Sequence, residues 1–307
     1  MKLRKNLCLL AAAFSAAALQ AQQLPLDPLV RRGTLPNGLT YYIAHNAQTP
    51  QVADFYIAQR VGSILEEPRQ RGLAHFLEHM AFNGSKHFPG GDNGPTIVKW
   101  CESVGIKFGA NLNAYTSVEQ TVYNISSAPV VREGVVDTCL LILSDWSHDL
   151  NLSPEEIDKE RGVVREEWRT RRAGMAIQRL MEGAMPKVYA GSKYADCMPI
   201  GNIDVINHFP YQDLRDYYEK WYRPDLQAII VVGDIDVDRV EQKIKDPHPR
   251  RFESRRASFL SRARQQKDDC LHRGRRRAAN GQLHALYEAQ RHATLRTKHA
   301  SELCRWL

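Results

Sequence analysis

The amino-acid sequence predicts an α+β fold in which a mixed β-sheet is covered by helices. Short apolar or alternating segments, typical of strands, are interspersed with longer segments in which apolar residues recur at helical spacing. This pattern continues over about 225 residues, which is enough for one domain with a full core. The sequence therefore predicts a single domain over residues 22–245, without internal repeats.

The elements of this domain follow from local patterns along the chain. β-branched and aromatic residues that alternate or cluster predict four strands: 41–44, 52–60, 121–126 and 227–232. Amphipathic spacing predicts helices over residues 70–83, 96–104, 130–148 and 213–221. A further helix is expected to begin at Ser153-Pro154, because Ser is a common N-cap and Pro is favoured at the first helical position.

The helix expected over residues 70–83 contains the run His75-Phe76-Leu77-Glu78-His79, an H-x-x-E-H pattern. Because a helix turns about 100° per residue, the two His residues and Glu78 share one face, opposite a stripe of apolar residues. Two imidazoles on one face can converge on zinc, which in catalytic sites takes three protein ligands and leaves one position open. Glu78 is placed to accept a proton from water at the metal. The alternative is that the pattern arose by chance on an exposed helical face.

A third ligand is expected in the helix that begins at Ser153. Glu160 and Glu167 are seven residues apart, about 20° short of two full turns, and so project from one face. Glu166 is displaced by about 100° and should point elsewhere. We assign Glu167 as the third ligand and Glu160 as a carboxylate that orients a ligand or the water. The alternative is a charged helix in which these carboxylates only pair with nearby Arg residues.

The two motifs together resemble the signature of the M16 peptidases, the insulinase/pitrilysin-like and mitochondrial-processing-peptidase-like enzymes. In this chain the signature is H-x-x-E-H at residues 75–79, followed by E-R-x-x-x-x-x-E at residues 160–167. Three other segments are similar to the same family: residues 80–85 after the motif helix, residues 109–123 around an edge strand, and residues 221–235 near the end of the domain. The resemblance covers about residues 30–245.

The resemblance implies a fold and a set of site residues. The fold is an M16-type α+β domain with a mixed, largely antiparallel sheet. The site holds one zinc ion per chain through His75, His79 and the third ligand Glu167, which Glu160 assists, and Glu78 is the general base.

The resemblance also implies how a peptide or small protein substrate is held. An extended peptide can add to an exposed sheet edge through main-chain hydrogen bonds. By similarity to the family, the edge strand is formed by Asn113, Ala114, Tyr115 and Thr116. The alternative is an ordinary interior hairpin. M16 enzymes close two halves around the substrate, so the expected partner is a second M16-type half or subunit.

The N-terminus predicts export to the periplasm or secretion. Lys2, Arg4 and Lys5 precede a short apolar segment at residues 7–18, and cleavage is expected after Ala21, which gives a signal peptide over residues 1–21. The apolar segment is too short for a stable membrane span, and no second one follows. A buried helix is the alternative. Five of the six Cys residues follow the expected cleavage site, without a C-x-x-C pattern, so no disulfide pairing is predicted.

The C-terminal segment, residues 246–307, differs from the domain before it. It contains 15 Lys and Arg against 6 Asp and Glu, and its apolar residues follow no period for long. We expect it to be disordered, because its composition cannot offset the entropy of folding. We interpret it as translated out of frame, because the succession of strands and helices stops near residue 246. A basic arm that binds nucleic acid is the alternative, but an exported protease has no evident use for one, and we expect no nucleic-acid partner.

These observations predict an exported zinc metallopeptidase that hydrolyses peptide bonds. The alternative is a non-catalytic M16-like subunit or peptide-binding domain. Such relatives typically lose a ligand or the base, whereas His75, Glu78, His79 and Glu167 are all present here. Because the second of the two halves that close around the substrate is not found in this sequence, we expect weak hydrolysis, or none, from the chain alone.

Overall fold

The computed structural model describes residues 25–132 and 134–246 of the 307-residue chain. The predicted signal peptide at residues 1–21 lies outside the described residues. So does the predicted tail after residue 246, together with its two Cys residues.

The described residues form one six-stranded sheet. Its strands are β1 Val30–Thr34, β2 Thr40–His45, β3 Val52–Gln59, β4 Leu112–Thr116, β5 Thr121–Pro129 and β6 Gln227–Gly233. The strand order is β1-β2-β6-β3-β5-β4, in which β2 and β6 run parallel and every other pair runs antiparallel. The predicted fold class, a mixed and largely antiparallel sheet with helices, is confirmed.

Eight α-helices accompany this sheet within the described residues. They are α1 Leu73–Met80, α2 Ile97–Ser103, α3 Val135–His148, α4 Pro154–Gly174, α5 Ala176–Val188, α6 Ile203–His208, α7 Tyr211–Trp221 and α8 Val237–Lys245. The start of α4 is as predicted, because the Ser153 side chain accepts a hydrogen bond from the Glu156 backbone N–H and Pro154 is the first helical residue. None of these helices is long and apolar enough to cross a bilayer.

Two predicted helices are shorter than expected, and in both cases glycine sets the start. The helix predicted over residues 70–83 is α1, which begins after Gly72, whose φ of +104° does not continue a helix. The helix predicted over residues 130–148 is α3, which begins after Gly134 with φ +79°. Local periodicity detected both segments and extended them too far: the helix predicted over residues 70–83 also ends early, at Met80.

The core holds α1 firmly from behind. The four large apolar residues of α1 are fully buried, and each burial contributes about 2 kcal/mol. Phe76 meets Phe209 edge to face, with ring centroids 5.0 Å apart. Trp146 of α3 stacks on Tyr123, with centroids 5.3 Å apart, and its indole N–H donates to the Ala81 carbonyl at 3.0 Å. The polar face of α1 is therefore presented from a rigid support.

Candidate metal centre

The five residues selected from the sequence come together where α1 packs against α4. The Nε2 atoms of His75 and His79 are 3.3 Å apart. Oε2 of Glu167 lies 3.4 Å from His75 Nε2 and 3.1 Å from His79 Nε2. Ligand atoms at about 2.0–2.1 Å from a tetrahedral zinc are about 3.3 Å from one another. The donor set and the spacing of these three atoms thus fit a zinc ion.

His79 is oriented by a carboxylate behind it. Its Nδ1 lies 2.8 Å from Oε1 of Glu160, whose other oxygen accepts a hydrogen bond from the Asn83 amide at 2.6 Å. The contact favours the tautomer that donates from Nδ1 and leaves Nε2 to face the metal position. Burial acts to lower the pKa of His79, but the hydrogen bonds to Glu160 and Glu167 outweigh it and raise this pKa to about 9. Metal binding at Nε2 would therefore displace a proton.

His75 has a different environment. It is buried, and its Nδ1 has no hydrogen-bond partner among the described residues. Burial, reinforced by the nearby His79, lowers the pKa of His75 to about 4. Its imidazole is consequently neutral at neutral pH, which is the form that binds zinc.

Glu167 supplies the negative charge among the three candidate ligands His75, His79 and Glu167. Burial acts to raise its pKa, but the hydrogen bond with His79, the attraction to His75, which is protonated at acid pH, and the ion pair with Arg171 outweigh it and lower the pKa to about 2. Glu167 is thus a carboxylate at neutral pH. Glu166 points away, as predicted: it is exposed and pairs with Arg169 at 2.9 Å.

Glu78 connects the metal position to the edge of the sheet. Its Oε2 accepts a hydrogen bond from the Thr116 hydroxyl at 2.5 Å. Burial raises the pKa of Glu78, and the Thr116 hydrogen bond opposes that rise. The second oxygen, Oε1, is the one left to accept a further proton. The predicted base therefore contacts the predicted substrate strand directly.

The strand β4 carries the four residues proposed from the family resemblance. Within the part of the chain that the structure describes, β4 pairs only with β5 and forms one edge of the sheet. Asn113 is exposed, and Ala114, Tyr115 and Thr116 are half-buried. The strand thus offers a backbone edge beside the site, as a strand-adding peptide requires.

Three contacts of this centre were not expected from the sequence. Asn83 bonds Glu160, Arg171 pairs with Glu167, and Thr116 bonds Glu78. For the first two a signal existed. Arg171 follows Glu167 by four positions on α4, which places it one helical turn further along the same face. Asn83 follows His79 by four positions and was inside the helix predicted over residues 70–83, although in the structure it lies in the turn after α1. The Thr116 contact joins segments 38 residues apart and had no local signal.

A second group of metal-binding residue types lies where the loop after α1, which carries His87, meets the end of α3, which carries Asp145 and is followed by Asp149. Ligand atoms of His87, Asp145 and Asp149 lie within 4.8 Å of one another. Both oxygens of the buried Asp145 are already engaged: one accepts from the Ser85 hydroxyl at 2.5 Å and from the His87 backbone N–H at 3.0 Å, and the other lies 2.7 Å from His87 Nδ1. These contacts give the group a structural role: they attach the loop after α1 to α3.

Comparison with known proteins places the fold and the motifs in one family. The sequence profile of the insulinase family, peptidase family M16, matches residues 42–189, and that of the M16 inactive domain matches residues 208–286. The chain belongs to the M16 peptidase family. The second M16 match continues past residue 246, into the segment that we interpreted as an out-of-frame tail, so the domain boundary at residue 245 stays a prediction.

Individual relatives agree with this assignment. The probable zinc protease PqqL of Escherichia coli (strain K12) is 36% identical over 246 residues, which are 79% of this chain and 26% of that protein. PqqL of Haemophilus influenzae is 34% identical over 249 residues, again 79% of this chain and 26% of the relative. The solved first half of the periplasmic protease PqqL from Escherichia coli matches with a TM-score of 0.67 and 36% identity, over 76% of this chain and 50% of that one. The M16 chain described here spans about a quarter of the length of the curated relatives it matches.

Proposed function

We propose that this chain forms the zinc-binding part of an exported M16 metallopeptidase that hydrolyses peptide bonds. The observation that carries the proposal is the triangle of His75, His79 and Glu167 donor atoms beside the buried carboxyl of Glu78. A non-catalytic M16 subunit would not need this complete set. The names of the PqqL relatives, which are zinc proteases, support the same chemistry.

Each residue of the centre has a defined task in this proposal. His75, His79 and Glu167 hold one zinc ion, and Glu160 keeps the His79 ring in the orientation and tautomer that bind it. Bound zinc supplies Lewis-acid chemistry, which polarises the scissile carbonyl and makes a water more acidic. Glu78 accepts the proton of the attacking water at Oε1, while Thr116 holds Oε2.

The substrate in this proposal is an extended peptide that adds to β4. Main-chain groups of residues 113–116 would pair with the peptide, so binding would depend little on its sequence. Thr116 belongs to this strand and bonds the base, so it sets the position of Glu78 relative to the peptide backbone.

Export and a second half complete the proposal. The predicted signal peptide, together with the periplasmic location given for the solved PqqL of Escherichia coli, supports an exported protein. Because the chain spans about a quarter of its relatives, we propose that efficient hydrolysis requires a further M16 half that closes over the substrate and excludes water.

Two substitutions separate metal binding from catalysis. Glu167→Gln should weaken zinc binding at least about tenfold, because it removes the charged ligand. Glu78→Gln should keep zinc but abolish hydrolysis wherever the wild type is active, because an amide cannot take up the proton. Zinc content is measured by metal analysis and chelator competition, and hydrolysis with a peptide substrate, for the chain alone and with a distal M16 half added.

Glu166→Gln is the matched control, since Glu166 is adjacent on α4 but faces solvent. It should leave both zinc binding and hydrolysis unchanged. Wild-type zinc affinity in Glu167→Gln would remove this residue from the ligand set. Normal turnover in Glu78→Gln would show that Glu78 is not the general base.

A further inference from the structure

The helix that carries both candidate His ligands begins without a cap of its own. α1 has only eight residues, and a helix this short is not stable in water by itself. Its N-cap, Gly72, has no side chain that can accept the backbone N–H groups of the first turn. Those groups need an acceptor from elsewhere in the chain.

Glu66 provides that acceptor. Its Oε2 accepts from the Gly72 backbone N–H at 3.0 Å, and its Oε1 accepts from the Ala74 N–H at 2.8 Å. The side chain is fully buried. Burial raises the pKa of Glu66 to about 8, while the two N–H groups act in the opposite direction. A carboxyl is an unfavourable group to bury, so this position does not serve core packing alone.

The segment that carries Glu66 is itself fixed. The Arg71 guanidinium donates to the Glu66 backbone carbonyl at 3.2 Å and also forms an ion pair with Asp196 at 2.8 Å. On the other side of the turn, Gly72 packs so closely on Gly201 that a Cβ added to Gly201 would lie 2.3 Å from the Gly72 Cα. Glu66 therefore links the first turn of α1 to a segment held by hydrogen bonds and close packing.

This matters most for His75, which follows Ala74 directly. The His79 ring is oriented by Glu160, whereas Nδ1 of His75 has no hydrogen-bond partner among the described residues. The position of His75 Nε2 thus depends on side-chain packing and on the backbone of the first helical turn. We propose that Glu66 is a positioning residue that fixes His75 for metal binding by holding this turn, an inference that rests on the zinc site proposed above.

Glu66→Gln tests the proposal. The amide retains one acceptor oxygen but turns the other bond into a contact between two donors. Zinc affinity should fall about tenfold or more, and the visible absorption spectrum of the Co²⁺-substituted protein should change, because that spectrum reports ligand geometry. Glu66→Asp keeps the carboxyl group but shortens its reach, and it should give a smaller change of the same kind. It also carries the test if Glu66→Gln does not fold.

Glu241→Gln is the matched control. Glu241 on α8 is also an acceptor, from Tyr41 at 2.7 Å, Arg31 at 2.6 Å and Lys245 at 2.8 Å, but lies outside the metal centre. The Glu241→Gln substitution should lower thermal stability without changing the zinc affinity or the Co²⁺ spectrum. Loss of stability in the Glu66 variants with zinc affinity within twofold of wild type and an unchanged spectrum would overturn the positioning role alone. Absence of zinc binding by the wild type would instead overturn the proposed function and this inference with it.

Discussion

The contact between His79 and Glu160 gives a quantitative prediction. Glu160→Gln keeps the size of the side chain and an acceptor for His79 Nδ1, but removes the negative charge. The carboxylate accepts at 2.8 Å from His79 and at 2.6 Å from Asn83, and it is only 8% exposed, so solvent screens it little. The substitution therefore removes the charge behind the ligand, and the new amide N–H keeps a partner when the Asn83 side chain turns its oxygen toward it.

The expected magnitude follows from the loss of that charge. A hydrogen bond to a charged group contributes about 1.5–3 kcal/mol, against about 0.5–1.5 kcal/mol between neutral groups. The midpoints of these ranges differ by about 1.25 kcal/mol, which corresponds to a factor of about eight in the dissociation constant for zinc. Loss of a group that orients a metal ligand typically weakens metal binding about 10–100-fold, which agrees.

The assay is a competition titration of zinc between the protein and a chromophoric chelator at neutral pH. Glu156→Gln is the control, because Glu156 lies one turn earlier on α4 and pairs with Lys159 at the surface, 2.5 Å away. It should leave zinc affinity unchanged. A dissociation constant for Glu160→Gln within twofold of the wild-type value would show that Glu160 does not tune His79.

Two further predictions concern pH and the base. Burial raises the pKa of Glu66 from 4.5 to about 8. Between pH 4.5 and pH 8 the native state therefore keeps a proton that the unfolded chain has lost. As the pH rises through this range, the free energy of unfolding should fall by up to about 1.4 kcal/mol per pH unit. Urea denaturation across this range should show a flatter dependence for Glu66→Gln; an identical slope would refute the assignment. Thr116→Val should reduce turnover about tenfold wherever the wild type is active, while zinc affinity stays unchanged, because it removes one hydrogen bond to the base. Thr116→Ser should restore the rate, and a rate unaffected by either change would separate Thr116 from catalysis.

The metal centre was accessible from the sequence because its residues sit on two helices at spacings that fix their direction. His75 and His79 are one turn apart on α1, and Glu160 and Glu167 are two turns apart on α4, so periodicity predicts which side chains share a face of each helix. That the two faces meet was implied by the family resemblance. Glu66 was not accessible in this way. It acts from an irregular segment through backbone N–H groups, which leave no pattern in the sequence.

The elements missed in the fold have similar physical causes. β1 carries two exposed Arg residues and buries no side chain, so it lacks an apolar alternation. α5 contains Pro186 near its end and buries no residue among those described, so its helical pattern has no core behind it. The parallel pairing of β2 with β6 depends on how distant segments meet, and local patterns do not encode it.

The place of β6 in the sheet has a consequence for how this chain is made. β6 lies between β2 and β3, and Ile229 pairs with both Tyr41 and Ile57, the latter roughly 170 residues earlier. Until β6 has left the ribosome, both of its neighbours have an open edge and the sheet cannot be completed. Folding must then wait for nearly the whole domain. For the export that we propose, such a delay is useful, because a chain threaded through a translocation channel has to remain unfolded until it has crossed.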